Sequence, residues 1–375
     1  MKGIGYYIRI PGCFLVLLII FIGCRRSSGK EGYFDAKEDG VQLCATVLTV
    51  DSLAGSSACC MIIGDKLIFY LAGEEYSYAV YKIRGDSLIY GGKFMRRGNG
   101  PYEMQIPRLK YRPDKNELIL YSADPSKNDF YLIHLDNFNH LYETRCWKAM
   151  KLPALPSRGC LEFVNDSTYL HSSYTQQNSL FSLACKGANE SFINLNFRYP
   201  DDRNNADLLL MRSLFKGELV KHPRKSSFIY SSDYFKYIIL FDLENKNITN
   251  IRYISAELPD YKRISDPYRM FALNGKVQDG CKTVIATEKY IYIGYNNLTW
   301  EDINKQVQFK GYPNSYFDRI NVFDWEGNYI SGFVLDKPVD FFVVGNDNNY
   351  IYASSLDLTQ EHQPDQVLRF ELKGL

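Results

Sequence analysis

For chemistry, this chain of 375 residues offers five histidines, nine cysteines and scattered carboxylates. The histidines are His134, His140, His171, His222 and His362. No two stand four apart with a glutamate between them, so the HExxH zinc pattern is absent. The cysteines form no CxxC, which leaves zinc-ribbon and thioredoxin-type sites without support. There is no GxSxG elbow and no P-loop, and Gly98-Asn99-Gly100 lacks the third glycine and the helix of a dinucleotide site. Asp124 and Asp129 flank Lys127 without EF-hand spacing and read as a solvated loop. No metal and no cofactor is expected. Acid–base catalysis would need carboxylates from distant segments to meet, and Glu103, Asp207 and Asp266 are the candidates. For binding, Arg97 and Glu103 form a charged pair of positions, and Tyr261, Tyr268, Trp300 and Tyr312 lie in long aromatic-rich segments. Aromatic rings offer large contact area at low entropic cost, to proteins or to sugar rings.

The elements that must position these residues are strands. Tyr 30 and Phe 23 against Trp 3 is a strand-forming bias, and 46% hydrophobic residues suffice for a sizeable core. Lys+Arg 44 against Asp+Glu 43 leaves a net charge of +1, which argues against a nucleic-acid partner. Six segments share one pattern, two turn-type or charged residues followed by four strand formers. They are Asp65-Lys66-LIFY, Asn116-Glu117-LILY, Asp166-Ser167-TYLH, Lys225-Ser226-SFIY, Glu288-Lys289-YIYI and Asn348-Asn349-YIYA. Successive copies are 51, 50, 59, 63 and 60 residues apart. That period, with about four strands per repeat, specifies an all-β, six-bladed β-propeller, with a seven-bladed count as the structural alternative. The sixth repeat stops at Leu375 without a fourth strand, while Val41–Val50 is an orphan strand-like run at the other end. Circular closure follows as an expectation: the N-terminal strand joins the last blade and satisfies both edges.

Loop lengths are one-sided. With the four strands of each repeat lettered A to D in chain order, the repeated motif being strand B, the A–B and C–D turns share one face and are short, while the B–C and D–A connections share the other. The second set includes Asn196–Gly217, Ser255–Gly280, Tyr295–Tyr316 and Ser354–Asp365, and Asn205–Phe215 is expected to form a short helix across that face.

Residues 1–23 read as a signal peptide. Lys2 and Arg9 precede an apolar run of 11 residues, Cys13 to Gly23, shorter than the about 20 residues of a membrane span. Phe21-Ile22-Gly23-Cys24 resembles the bacterial lipobox, which implies lipid attachment at Cys24, a lipidated tether over 24–40 and a propeller over 41–375. By the sorting pattern of Gram-negative lipoproteins, the absence of Asp after the cysteine implies the outer membrane.

Arg96-Arg97-Gly98-Asn99-Gly100-Pro101-Tyr102-Glu103, followed by Ile106-Pro107, resembles the Gly-x-Gly-Pro-x-Glu connector of the TolB-like and NHL-type six-bladed propeller lipoproteins. Tyr199-Pro200 and Phe215-Lys216-Gly217 are similar to the same pattern, and Tyr102 stands where glycine is often found. The resemblance implies a cell-envelope propeller and no single activity. Within the connector, glycines permit a tight crossing and Glu103 caps backbone amides; the alternative makes Arg97 and Glu103 ligand contacts at the channel mouth. The functional reading is a lipid-anchored, non-catalytic binding or scaffold module that meets an envelope protein or glycan through its long-loop face. The alternatives are an envelope enzyme, hydrolase or lyase, acting on carbohydrate or peptide at the channel, and a sensor or assembly subunit.

Overall fold

The computed structural model describes residues 40–50, 57–124, 129–151, 161–172, 179–185, 191–201, 207–265, 270–310, 316–355, 366–373 and 375. The lipobox with Cys24, and Tyr268, Asp266, Tyr312 and His362, lie outside the described residues.

The chain comes in through three short strands, β1 (Val41–Leu43), β2 (Thr46–Val47) and β3 (Thr49–Val50). Blade 1 is β4 (Ser57–Ile63), β5 (Lys66–Leu71), β6 (Tyr76–Arg84) and β7 (Ser87–Arg96). Blade 2 is β8 (Pro107–Arg112), β9 (Glu117–Ser122), β10 (Asp129–His134) and β11 (Lys148–Lys151). Blade 3 is β12 (Leu161–Phe163), β13 (Thr168–Ser172), β14 (Phe181–Cys185) and β15 (Ser191–Asn194). After helix α1 (Leu208–Leu214), blade 4 is β16 (Gly217–Lys221), β17 (Ser227–Ser232), β18 (Tyr237–Glu244) and β19 (Asn247–Ala256). A separate hairpin, β20 (Tyr261–Arg263) and β21 (Phe271–Leu273), leads to blade 5: β22 (Thr283–Ala286), β23 (Tyr290–Tyr295), β24 (Phe317–Asp324) and β25 (Tyr329–Val339). Helix α2 (Trp300–Lys310) is inserted between β23 and β24. Blade 6 is β26 (Phe341–Val344), β27 (Tyr350–Ser355) and β28 (Gln366–Glu371).

Each repeated motif is the second strand of its blade, flanked on both edges and packed on both faces. That is why these positions read as apolar runs: Leu67, Ile68 and Phe69, or Phe228, Ile229 and Tyr230, have no exposed surface. Cores form between neighbouring blades. Phe181 of β14 and Tyr230, Tyr237 and Phe241 of blade 4 share one cluster, and Tyr78 of β6 joins Leu118 and Leu120 of β9 in another. The Tyr78 hydroxyl donates to the Pro107 carbonyl at 3.0 Å, tying blade 1 to the first residue of blade 2.

Two expectations are corrected. Val41–Val50 is not one strand. β1 runs parallel along the outside of β25, with Val41 opposite Phe333. β2 runs antiparallel along β28, with Thr46 opposite Arg369, and supplies the fourth strand of blade 6. β3 then runs parallel along β7 of blade 1. The physical reason lies in Leu43 and Leu48, both buried, one against the blade 5–6 core and the other against the blade 6–1 core. They are an odd number of residues apart, so a single pleated strand would turn them to opposite faces, and the chain bends between them instead. Secondly, the C–D connection of blade 2 is not a tight turn at Asp136-Asn137. It holds two 3-10 helices, Phe138–Tyr142 and Thr144–Cys146. They bury Leu141 and place Tyr142 over Gly91 and Gly92 of β7, where a Cβ at Gly92 would come within 2.6 Å of the Tyr142 ring.

Candidate functional site

Three places could carry function: the connector between blades 1 and 2, the platform of loops on one face, and the channel lined by the inner strands.

In the connector, Arg97 donates to the Leu71 carbonyl at 2.5 Å and to the Gln105 carbonyl at 3.4 Å, and its guanidinium lies 5.2 Å from the Tyr70 ring centre. One Glu103 oxygen accepts from the Gly100 amide at 2.9 Å. Gly98 makes room for that carboxylate, since a Cβ there would stand 1.9 Å from Glu103 Oε2. Tyr102 takes the left-handed conformation, with φ 60°, that glycine would otherwise supply. Its strain is offset by packing: the ring sits 5.2 Å from Tyr131 and 6.2 Å from Trp147, and its amide donates to the Tyr131 hydroxyl at 3.2 Å. Arg97 and Glu103 thus serve the crossing between blades.

The platform is built from B–C and D–A connections of blades 3 to 5. Asp207 caps α1 by accepting from the Leu210 amide at 3.1 Å, and its other oxygen pairs with Arg263 of β20 at 2.8 Å. Asp207 is therefore a structural carboxylate that joins helix to hairpin. At the start of α2, Thr299 and Asp302 cap each other: Asp302 Oδ2 accepts from the Thr299 amide at 3.1 Å and hydroxyl at 2.7 Å, and Thr299 Oγ1 accepts from the Asp302 amide at 3.3 Å. Those bonds hold the Asp302 carboxyl below its ordinary range. The Trp300 indole donates to the Tyr234 carbonyl at 2.8 Å, and Tyr234 meets the Phe271 ring edge-on at 5.2 Å. Tyr261 packs against the blade 3–4 core. Trp300 and Tyr261 are thus half-buried fasteners of the platform. Among its described residues, Leu209 on α1 and Leu258 before β20 are exposed apolar groups, 61% and 44% exposed.

The channel holds a charged cluster that no sequence motif marks. In β8, Leu109 and Tyr111 pack on the blade 1–2 core, and the intervening residue, Lys110, points the other way. Its ammonium is 2.5 Å from Glu162 of β12, in the next blade. Glu218, in β16 one blade further on, accepts from the Val284 amide of β22 at 3.0 Å. Inner strands have no partner on the channel side, so this carboxyl covers a backbone donor that the sheet leaves bare. Burial pushes the Glu218 carboxyl up to about 7, although Lys110 and the Val284 amide pull it down and Asp233 and Glu162 push it further up. Burial acts to lower the Lys110 ammonium, but Glu162 more than reverses it and leaves it raised. Four blades therefore contribute to one cluster. Among the described residues, the second oxygens of Glu162 and Glu218 make no hydrogen bond.

Among the described histidines, His140 Nδ1 lies 3.1 Å from the His134 carbonyl, and His171 and His222 stand apart from that pair. His171 is buried at the end of β13, and burial holds it down to about 4. His222 accepts from the Arg224 and Lys225 amides and lies 4.7 Å from the Trp325 ring. Among the described residues, no group of three or more His, Cys, Asp or Glu could hold a metal ion.

The TolB-like 6-blade propeller-like family matches residues 65–347, most of the chain. The chain belongs to the TolB-like six-bladed propeller family. Among solved structures, a member of the DUF4221 family from Bacteroides vulgatus is similar at 11% identity and TM-score 0.52, over 90% of this chain and 100% of that one. A candidate exported protein from Bacteroides fragilis is similar at 12% identity and TM-score 0.50, over 88% and 94%. At these identities the likeness concerns the fold. No curated protein matches the sequence.

Among the described residues of this TolB-like propeller, Glu162 and Glu218 are carboxylates brought to the axis, and Glu103 and Asp207 are not. A signal for them existed. Each is a single acid in the second position of an otherwise apolar stretch of inner strand, Leu-Glu-Phe and Gly-Glu-Leu-Val.

Proposed function

We propose that this propeller is a lipid-anchored module of the cell envelope, held in the outer membrane through Cys24, which binds a protein partner with its long-loop face and performs no chemistry there. The observation that supports the reading most is the platform. Two helices and a hairpin are inserted in connections of one face and are fastened by Asp207, Thr299, Trp300 and Tyr234. Groups that fasten a loop set hold a surface in one shape, which lowers the ordering cost of binding. Leu209 and Leu258 present apolar contact area on that surface, and a protein partner uses such area better than a glycan does.

Two experiments test the reading. Cys24→Ala should leave the protein uncleaved or soluble; a variant that stays with membranes after a carbonate wash, its lipid label intact, contradicts the anchor. Leu209→Ser with Leu258→Ser should change stability by no more than about 0.5 kcal/mol per exposed site. It should also remove proteins cross-linked to the wild type in intact cells. An unchanged cross-linking pattern contradicts the role of this face.

A further inference from the structure

We propose that the channel, at Lys110, Glu162 and Glu218, is a binding site for a neutral saccharide unit. The cluster is distinct from the loop platform, so either assignment can fail without the other.

Hydrogen-bonding capacity is left unused in this cluster. Lys110 has three N–H donors and gives one to Glu162 at 2.5 Å. Glu162, only 7% exposed, keeps a second oxygen without a partner among the described residues. Glu218 is anchored through one oxygen to the Val284 amide at 3.0 Å, and its other oxygen is likewise unused. Donors and acceptors from three successive inner strands thus converge in excess of their protein partners. Polar atoms that face the channel without a protein partner can take their bonds from a ligand that fills it.

Charge then selects the ligand. Lys110 and Glu162 cancel each other, and of the further charges that act on the cluster, Lys221 on Glu162 is balanced by Asp233 on Glu218. A cationic ligand would compete with Lys110 for its own carboxylate, and an anionic one would face two carboxyls. A hydroxyl has neither conflict, because it donates to Glu162 and accepts from Lys110. Neighbouring hydroxyls on a sugar ring do both at once, and Glu218 can answer either way, since a carboxyl near half-protonation donates as an acid and accepts as a carboxylate. Access fits as well. Glu218 is the second residue of β16, just after α1, so it lies toward the long-loop end of its strand.

The test is ligand-observed NMR on the full propeller, with glucose, galactose, mannose, xylose and N-acetylglucosamine as neutral probes and glucosamine and glucuronate as charged comparators. At least one neutral sugar should bind saturably and more tightly than both comparators. Lys110→Met with Glu162→Gln should weaken it at least about tenfold, or 1.4 kcal/mol. Glu218→Gln, which keeps an acceptor for Val284, should retain binding and flatten its dependence on pH across neutrality. If the double variant does not fold, Glu218→Ala makes the same test of affinity at a partly exposed position. The proposal is overturned if no neutral sugar binds, if a charged comparator binds better, or if the folded Lys110→Met/Glu162→Gln or Glu218→Ala variant binds like the wild type.

Discussion

The connector after blade 1 and the channel between blades 2 and 4 both place charged side chains against bare backbone, but with different remainders. In the connector, Arg97 reaches two carbonyls and the Tyr70 ring, and Glu103 closes on the Gly100 amide. In the channel, Lys110, Glu162 and Glu218 make fewer bonds than they can, and burial raises the Glu218 carboxyl to about 7. The connector is the conspicuous motif and serves the fold. The channel is inconspicuous in the sequence, and it is there that carboxylates from separate blades meet. A recurring short pattern marks what every blade crossing needs, whereas a site is assembled by topology from residues dozens of positions apart.

The largest effect that would sharpen this contrast is at Lys110. Lys110→Met takes the cation from Glu162, whose side chain is 10% exposed against 27% for Lys110, and should cost about 3 kcal/mol, the low end for one partner lost from a buried pair. Adding Glu162→Gln should restore much of that loss in urea unfolding. If Lys110→Met alone is neutral, the pair does not hold the channel wall together. Next comes Arg97→Ala, which strips a cation from two carbonyls and should cost about 1.5–3 kcal/mol. Ligand binding by the folded variant should be unchanged, and a selective loss of binding would move function into the connector. The smallest effect is Glu103→Ala, which loses one backbone cap worth about 1 kcal/mol and should appear as a modest drop in melting temperature.

The parts of this protein that were legible in the sequence are those with short-range causes. The second strands of the blades announce themselves because burial on both faces removes most polar residues from four successive positions. Helix α1 was expected within Asn205–Phe215, and its cap is Asp207, a residue that looked like a catalytic candidate until its partners, the Leu210 amide and Arg263, were seen. Val41–Val50 looked like one strand because its composition suits a strand. Its division among blades 5, 6 and 1 depends on where two leucines find separate cores, which no local pattern encodes. The channel cluster was illegible for the same reason. Glu162 and Glu218 are 56 residues apart in sequence, and only closing the blades around an axis brings them to one lysine.

The most direct measurement of the contrast is the pH dependence of stability in the wild type and in Glu218→Gln. A carboxyl raised to about 7 in the folded protein holds its proton more tightly folded than unfolded. That contribution is fully present below the ordinary carboxylate range and is lost as pH rises to about 7. Wild-type stability, taken relative to the Glu218→Gln variant at each pH, should therefore decline across this window and level off above it. The variant, which lacks the titrating group, gains on the wild type over the same interval. A difference that stays constant across the window, or that moves in favour of the wild type as pH rises, would contradict the account.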